Sequence, residues 1–248
     1  MGGMKRERVT VVVPTYNERD NLQRLAPAVL EHGYRLLIVD DDSPDRTGEV
    51  ADELAMRHGV RVEVIHRRPP RGLGLAYLDG FAHALEAGAE LICQMDADLS
   101  HDPAQLPALI DVAGAGRVAV GSRYRPGGRV VNWPLHRLVL SRAANRYVRA
   151  ITGLPIADCT SGFRCWPRNV LAALPLARHV SHGYVFQVET LYEAARLGAR
   201  IAEVPIDFVE RRHGRSKVSV RILAEACVVP WRLRSRGRLR PGTRGVAT

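Results

Sequence analysis

The stretch Leu91-Ile92-Cys93-Gln94-Met95-Asp96-Ala97-Asp98-Leu99-Ser100-His101-Asp102-Pro103 decides how the rest of the chain is read. Its first part is a short apolar run, which suits a strand buried on both faces of a parallel sheet. Two carboxylates follow, one residue apart. Asp102-Pro103 then opens a helix, because proline is well placed in a first helical turn. Open α/β sheets bind ligands at the carboxyl ends of their strands, and Asp96 and Asp98 stand at such an end. Aspartate is a poor strand residue and costly to desolvate unpaired. A divalent cation resolves that conflict. Hard carboxylate oxygens suit Mg2+ or Mn2+, ions that usually keep substrate phosphates as further ligands. The plainer alternative is a solvated strand-to-helix turn with Asp102 as its N-cap, since Asp-x-Asp is common by chance.

Upstream, the β-branched run at 9–13 predicts a first strand, ended by Pro14-Thr15-Tyr16-Asn17-Glu18. A helix over 20–31 follows, with Leu22, Leu25, Val29 and Leu30 on one face and Gly33 as its stop. A second strand at 36–39 runs into Asp40-Asp41-Asp42-Ser43-Pro44-Asp45, either an acidic capping turn or a nucleotide contact. Its strand-end position favours the contact. A helix over 47–57, a strand at 60–65, a basic loop at 66–74 and a helix over 75–87 complete a β-α-β-α-β-α-β half. That alternation predicts a mostly parallel, twisted, doubly wound α/β sheet flanked by helices. No GxGxxG follows the first strand and no GxxxxGK[ST] appears, which disfavours the usual dinucleotide and P-loop sites.

The second half is less regular. It predicts a helix over 103–113, a strand at 118–120 and a basic, glycine-rich loop at 121–128. A long amphipathic helix over 135–151 carries Arg137, Arg142, Arg146 and Arg149. A loop and short strand at 158–166, a helix over 184–197 and a strand at 201–209 follow. Pro205 puts that last strand at an edge. Tyr184 and Phe186 read as core. Residues 1–220 are expected to form one domain, and 221–248 an amphipathic helix with an Arg-rich tail. That helix, with Val228, Val229 and Trp231, either rests at a membrane interface or packs on its own domain.

The 248 residues can bury a sizeable core. The N-terminus enters a strand directly, so no signal peptide is expected, and no apolar run reaches membrane-spanning length. Cys93, Cys159, Cys165 and Cys227 form no C-x-x-C pair and read as reduced cytosolic thiols. A formal net charge of +10 favours anionic partners. Nucleic acid is the weakest of these, because aromatic residues are only 6% of the chain and no nucleic-acid-binding motif appears. Past Pro230 the tail carries Arg232, Arg234, Arg236, Arg238, Arg240 and Arg244 without a carboxylate. It is either a solubilising tail or a membrane-surface segment.

Several separated stretches together resemble one family. They are 13–18, 39–45, Arg71-Gly72-Leu73-Gly74, Met95 to His101, Gly121-Ser122-Arg123-Tyr124, Ser161-Gly162-Phe163-Arg164 and Arg211-Arg212-His213-Gly214-Arg215-Ser216-Lys217. In this order they are similar to a family 2 glycosyltransferase of the dolichol- or polyprenol-phosphate mannose synthase type, over about residues 8–220. The resemblance implies a GT-A fold, Mg2+ or Mn2+, and inverting transfer of mannose from GDP-mannose to a polyprenyl phosphate. It implies that Pro14, Tyr16, Glu18, Val39 and Asp41 hold the donor nucleotide. Asp96, Ala97 and Asp98 form its diphosphate and metal site. Ser100 stands where some members have a metal-binding Gln, and a hydroxyl is a weaker ligand. Arg123, Arg211 and Lys217 serve as basic groups around the diphosphate and lipid phosphate, and with Asp98 form the catalytic set. Arg123, Arg137, Ser141, Asp158 and Arg164 surround the acceptor phosphate. Arg215 replaces an acidic residue often found there. Many members carry C-terminal membrane spans. This chain is therefore expected to be cytoplasmic and to meet its lipid peripherally, at the cytoplasmic face, or through a partner membrane protein.

The chemistry needs such residues. Negative charge builds on a departing diphosphate, and a held cation with fixed guanidiniums stabilises it. The acceptor phosphate is already ionised at neutral pH and attacks without a strong base. His101 is therefore read as turn-stabilising. Transfer of glucose from UDP-glucose to the same lipid phosphate is the nearest alternative. A nucleotidyltransferase on the same kind of sheet would release pyrophosphate instead.

Overall fold

The structure, a computed structural model, describes residues 6–176, 185–210, 220–237 and 239. Its elements are β1 (Val9–Thr15), α1 (Arg19–Glu31), β2 (Arg35–Asp40), α2 (Thr47–His58), β3 (Val62–His66), α3 (Leu73–Glu86), β4 (Leu91–Gln94), α4 (Leu106–Gly114) and β5 (Val118–Ser122). Then come β6 (Arg129–Val131), α5 (Leu135–Thr152), β7 (Arg164–Pro167), α6 (Arg168–Ala173), α7 (Val185–Arg196), β8 (Ile201–Pro205), β9 (Asp207–Val209) and α8 (Val220–Ser235). The first half follows the hydrophobic pattern closely. Asp102 Oδ1 accepts from Ala104 N at 2.9 Å, so it caps the short 3-10 turn that leads into α4.

A seven-stranded sheet runs in the order β3-β2-β1-β4-β7-β5-β8. All its pairings are parallel except those of β7, which runs antiparallel to both β4 and β5. Successive side chains of β1 point to opposite faces. Val11 and Val13 join α1, α2 and α4 in one core, while Val12 joins α3, α7 and α8 in the other. Burial on both faces explains why the strands read as unbroken apolar runs. At Gly80 of α3 an added Cβ would lie 2.4 Å from Val12 Cγ1, so the helix sits on the sheet only because that side chain is absent.

From β1 the chain steps to β2 and β3 on one side and returns to β4 on the other. The order reverses between β1 and β4, the switch point at whose carboxyl ends open α/β sheets form their ligand crevice. β7 arrives from the opposite direction, so the residues that feed it, Ser161 to Phe163, also lie at that end.

The strand expected over 201–209 divides at Ile206. β8 ends at Pro205 on the sheet's edge, as proline requires, and β9 pairs with β6 in a separate two-stranded sheet. α8 packs on α5 and α7, with Val229 and Leu233 buried and Val228 and Trp231 exposed. Cys93, Cys159 and Cys165 are free and buried, and Cys227 is free and exposed.

Candidate active site

The loops after β1 and β2 are tied to each other. Asn17 N donates to Ser43 Oγ at 3.1 Å, and Glu18 N donates to Thr47 Oγ1 at 3.0 Å. The three adjacent aspartates each have work inside the protein. Asp40 accepts from the Thr15 hydroxyl at 3.0 Å and the Ser43 hydroxyl at 2.6 Å. Asp41 is buried, paired with Arg67, and accepts from Gly72 N at 2.7 Å. Asp42 adopts φ 58° and pairs with Arg71 at 2.6 Å, whose guanidinium lies 5.0 Å from the Tyr16 ring centre. Tyr16 and Glu18 stand on the crevice rim, half-buried. Pro14 is buried within β1, and Val39 packs beneath α3 beside Gly80. The Val39 side chain therefore cannot meet a nucleotide. Of the residues expected around the donor nucleotide, Val39 is thus the one whose side chain belongs to the core.

At the end of β4, Asp96 Oδ1 accepts from the Tyr77 hydroxyl at 2.9 Å, while Asp96 N donates to His101 Nδ1 at 3.3 Å. His101 is stacked on Phe163 at 4.9 Å and set edge-on to Phe208. Burial lowers its pKa despite the nearby Asp96 and Asp98, so the ring is neutral and its Nδ1 accepts. It serves the turn, as expected. Asp98 Oδ1 accepts from Ser100 N at 3.1 Å and Ser100 Oγ at 2.5 Å, an Asx-type turn closed by Leu99 at φ 59°. Ser100 is buried, and its hydroxyl holds Asp98.

These residues fit a hard divalent ion in one way. Asp96 and Asp98 offer carboxylate oxygens at a switch point. Among the described residues no group of three or more His, Cys, Asp or Glu side chains converges. An ion held here would complete its shell with diphosphate oxygens and water, as Mg2+ usually does.

Arg123, at the end of β5, is clamped by Asp158. Nε donates to Oδ2 and Nη2 to Oδ1, both at 2.7 Å, and the Arg123 backbone N reaches Oδ2 at 3.1 Å. Nη2 also donates to Thr160 Oγ1 at 2.8 Å. The rings of Tyr124, Trp133 and Phe208 lie 5.3, 5.5 and 5.3 Å from the guanidinium. Burial alone would lower the Arg123 pKa, but Asp158 outweighs it and the net shift is upward. On α5, Arg137 stacks 4.0 Å from the Trp133 ring centre and pairs with Glu210 at 2.7 Å. Ser141 Oγ accepts from the Tyr124 hydroxyl at 2.7 Å. Arg123, Arg137 and Ser141 thus gather around Tyr124 and Trp133. Asp158 is fully buried, so its part is to hold Arg123.

Arg164, expected near the acceptor phosphate, has its contacts inside the protein. It is fully buried in β7, donating to Gln187 O at 2.7 Å and Cys159 O at 3.0 Å. Burial lowers its pKa to about 10. Its hydrogen bonds go to protein groups, Gln187 O, Thr190 Oγ1 and Cys159 O. It fastens the 159–163 segment to α7, and that segment brings Gly162 against Asp96, where a Cβ would lie 3.2 Å from Oδ2. Phe186 is buried, as expected. Arg211, Lys217 and Tyr184 lie outside the described residues.

Tyr77, Arg67 and Trp133 escaped the sequence reading, and Gly162 entered it only as part of the 161–164 stretch. Only Tyr77 left a trace: a tyrosine on an apolar helix face needs a partner for its hydroxyl.

Residues 10–174 match the family described as glycosyl transferase family 2. The chain is 46% identical over 236 residues to a polyprenol monophosphomannose synthase of Mycolicibacterium smegmatis, covering 93% of this chain and 89% of that one. It is 45% identical over 235 residues to an undecaprenyl-phosphate mannosyltransferase of Micrococcus luteus, covering 92% and 96%. Among solved structures, a mannosyltransferase from Pyrobaculum calidifontis in complex with GDP-Man and Mn2+ superposes with a TM-score of 0.66. It shares 21% identity over 96% of this chain and 67% of that one, a likeness of fold. The β4 carboxylates at the switch point, the GT-A-like sheet and these matches agree: the chain belongs to glycosyl transferase family 2.

Proposed function

We propose that this protein transfers mannose from GDP-mannose to a polyprenyl phosphate, releasing GDP. The likeness to two enzymes named for that kind of product, over more than nine-tenths of this chain, carries the reading. The donor diphosphate lies at the ends of β1 and β4, with its nucleoside over the Tyr16–Glu18 and Asp41 loops. Asp96 and Asp98, with Ala97 between them, hold Mg2+ or Mn2+, which when bound neutralises charge on the diphosphate. Arg123, with Arg211 and Lys217, adds fixed positive charge, and a cation locked in place before reaction has no reorganisation to undergo.

The acceptor phosphate sits by Arg123, Arg137 and Ser141. One of its oxygens bonds to the anomeric carbon as the bond from that carbon to GDP breaks, inverting the centre. No proton need leave the phosphate at neutral pH. His101 fits this scheme, since it is buried, neutral and hydrogen-bonded to backbone. The acceptor is a membrane lipid, and no described helix is long and apolar enough to cross a membrane. In this reading the protein meets it at the membrane surface or beside a membrane partner.

The test is incubation with GDP-mannose, a short polyprenyl phosphate and Mg2+ or Mn2+, following GDP release and lipid-linked mannose. Formation of both products supports the reading. GDP release without mannosyl lipid overturns the acceptor, and faster turnover with UDP-glucose overturns the donor.

A further inference from the structure

α5 carries Arg137, Arg142, Arg146 and Arg149 and no carboxylate along its length. Leu135, Val139, Arg142, Arg146 and Arg149 follow one another at i+4 and i+3 steps, so they form one stripe along the helix. The stripe is apolar at its start and cationic at its end, and it is exposed: Val139 keeps 58% of its surface. Arg142, Arg146 and Arg149 line a groove of ≈ 610 Å3 floored by Asn145, Leu154 and Ala157. Arg123, Arg129, Arg137 and Arg196 each have a carboxylate within ion-pair distance. Arg142, Arg146 and Arg149 have none among the described residues.

A second stripe of α5 holds Leu140 and Tyr147, and α8 extends it. Tyr147 donates to Cys227 O at 2.7 Å and accepts from Trp231 Nε1 at 3.0 Å. Trp231 remains 59% exposed, and Val228 is exposed beside it. An apolar shelf with an indole and a phenol on one flank of the exposed side of α5, and on the other guanidiniums with no ion-pair partner among the described residues, match the chemistry of a headgroup boundary.

We infer that the α5–α8 face seats the protein on an anionic lipid bilayer, with headgroup phosphates taken by the Arg142–Arg146–Arg149 groove. The inference leans on the lipid-acceptor reading only in choosing a bilayer over other polyanions. Tyr124 joins the two regions. Its hydroxyl holds Ser141, and its ring lies 5.3 Å from Arg123 and 5.7 Å from Arg142. Docking on this face therefore puts the acceptor-phosphate residues beside the bilayer surface.

The experiment is co-sedimentation of the full chain with phosphatidylcholine vesicles, with and without phosphatidylglycerol. The wild type is compared with Arg142→Gln/Arg146→Gln/Arg149→Gln and with Arg24→Gln/Arg57→Gln/Arg61→Gln, an equal charge change on the α1–α2 side. At about fivefold per cation, the α5 variant should lose on the order of a hundredfold in affinity for anionic vesicles. The α1–α2 variant should bind like the wild type. Equal binding by all three proteins overturns the proposal. So does wild-type protein that binds inorganic phosphate at the groove but no vesicle. Mannosyl transfer to a short, water-dispersed polyprenyl phosphate is read in parallel. The α5 variant should keep it. If the wild type lacks it while the vesicle pattern holds, the acceptor reading fails and the docking surface stands.

Discussion

Arg123 and Asp158 face each other as a parallel, two-pronged ion pair, with both contacts at 2.7 Å and both side chains nearly or wholly buried. The pair joins the end of β5 to the segment that feeds β7. It leaves Arg123 rigid at the crevice, with its charge set before any substrate arrives. Removing one partner would leave an uncompensated buried charge. Asp158→Asn should therefore cost about 3–5 kcal/mol of stability, measured by urea unfolding, and should also lower turnover because Arg123 is no longer aimed.

The same pair sets a pH dependence. Burial would raise the Asp158 pKa, but Arg123 outweighs it and holds the carboxyl below its usual range. As acid is added, the unfolded chain takes up the proton first. The contribution is full above the unfolded value of about 4 and is lost as pH falls through the folded one. Between pH 5 and 3, estimated from those values, wild-type stability should fall more steeply than that of Asp158→Asn. Parallel slopes would count against the pair.

Asp98→Asn keeps the size of the side chain and can still close the turn with Ser100. It removes the charge that would hold a cation. Turnover should drop about a hundredfold, with Tm nearly unchanged. Isothermal titration with Mn2+ and GDP should show weakened binding.

Gly162 touches the site only by lacking a side chain. Its φ is not in the left-handed region, so alanine is tolerated by the backbone, but the new Cβ would press on the Asp96 carboxylate at 3.2 Å. Gly162→Ala should lower kcat about tenfold through misplacement of that group, with little change in Tm.

Arg164 separates a structural role from a ligand role. Arg164→Ala would leave the Gln187 and Cys159 carbonyls without their donor and open a cavity. A loss of about 3 kcal/mol or more is expected. A phosphate ligand would instead raise KM for the polyprenyl phosphate at unchanged stability.

The sequence by itself determined the strands and helices of the first half and the position of Asp96 and Asp98 at a strand end. Those follow from local properties: apolar periodicity, turn residues and caps act over a few positions. It also determined the edge position of Pro205, because a missing N–H is a property of the residue alone. Only the tertiary structure decided which way β7 runs. Residues 158–166 read simply as a loop and short strand, and nothing local in them reveals an antiparallel partner between β4 and β5. That reversal carries Gly162 to Asp96, Asp158 to Arg123 and Arg164 into the core. A run of motif residues contains a charged side chain that serves packing as readily as one that serves a ligand. Burial distinguishes them, and burial depends on partners far along the chain.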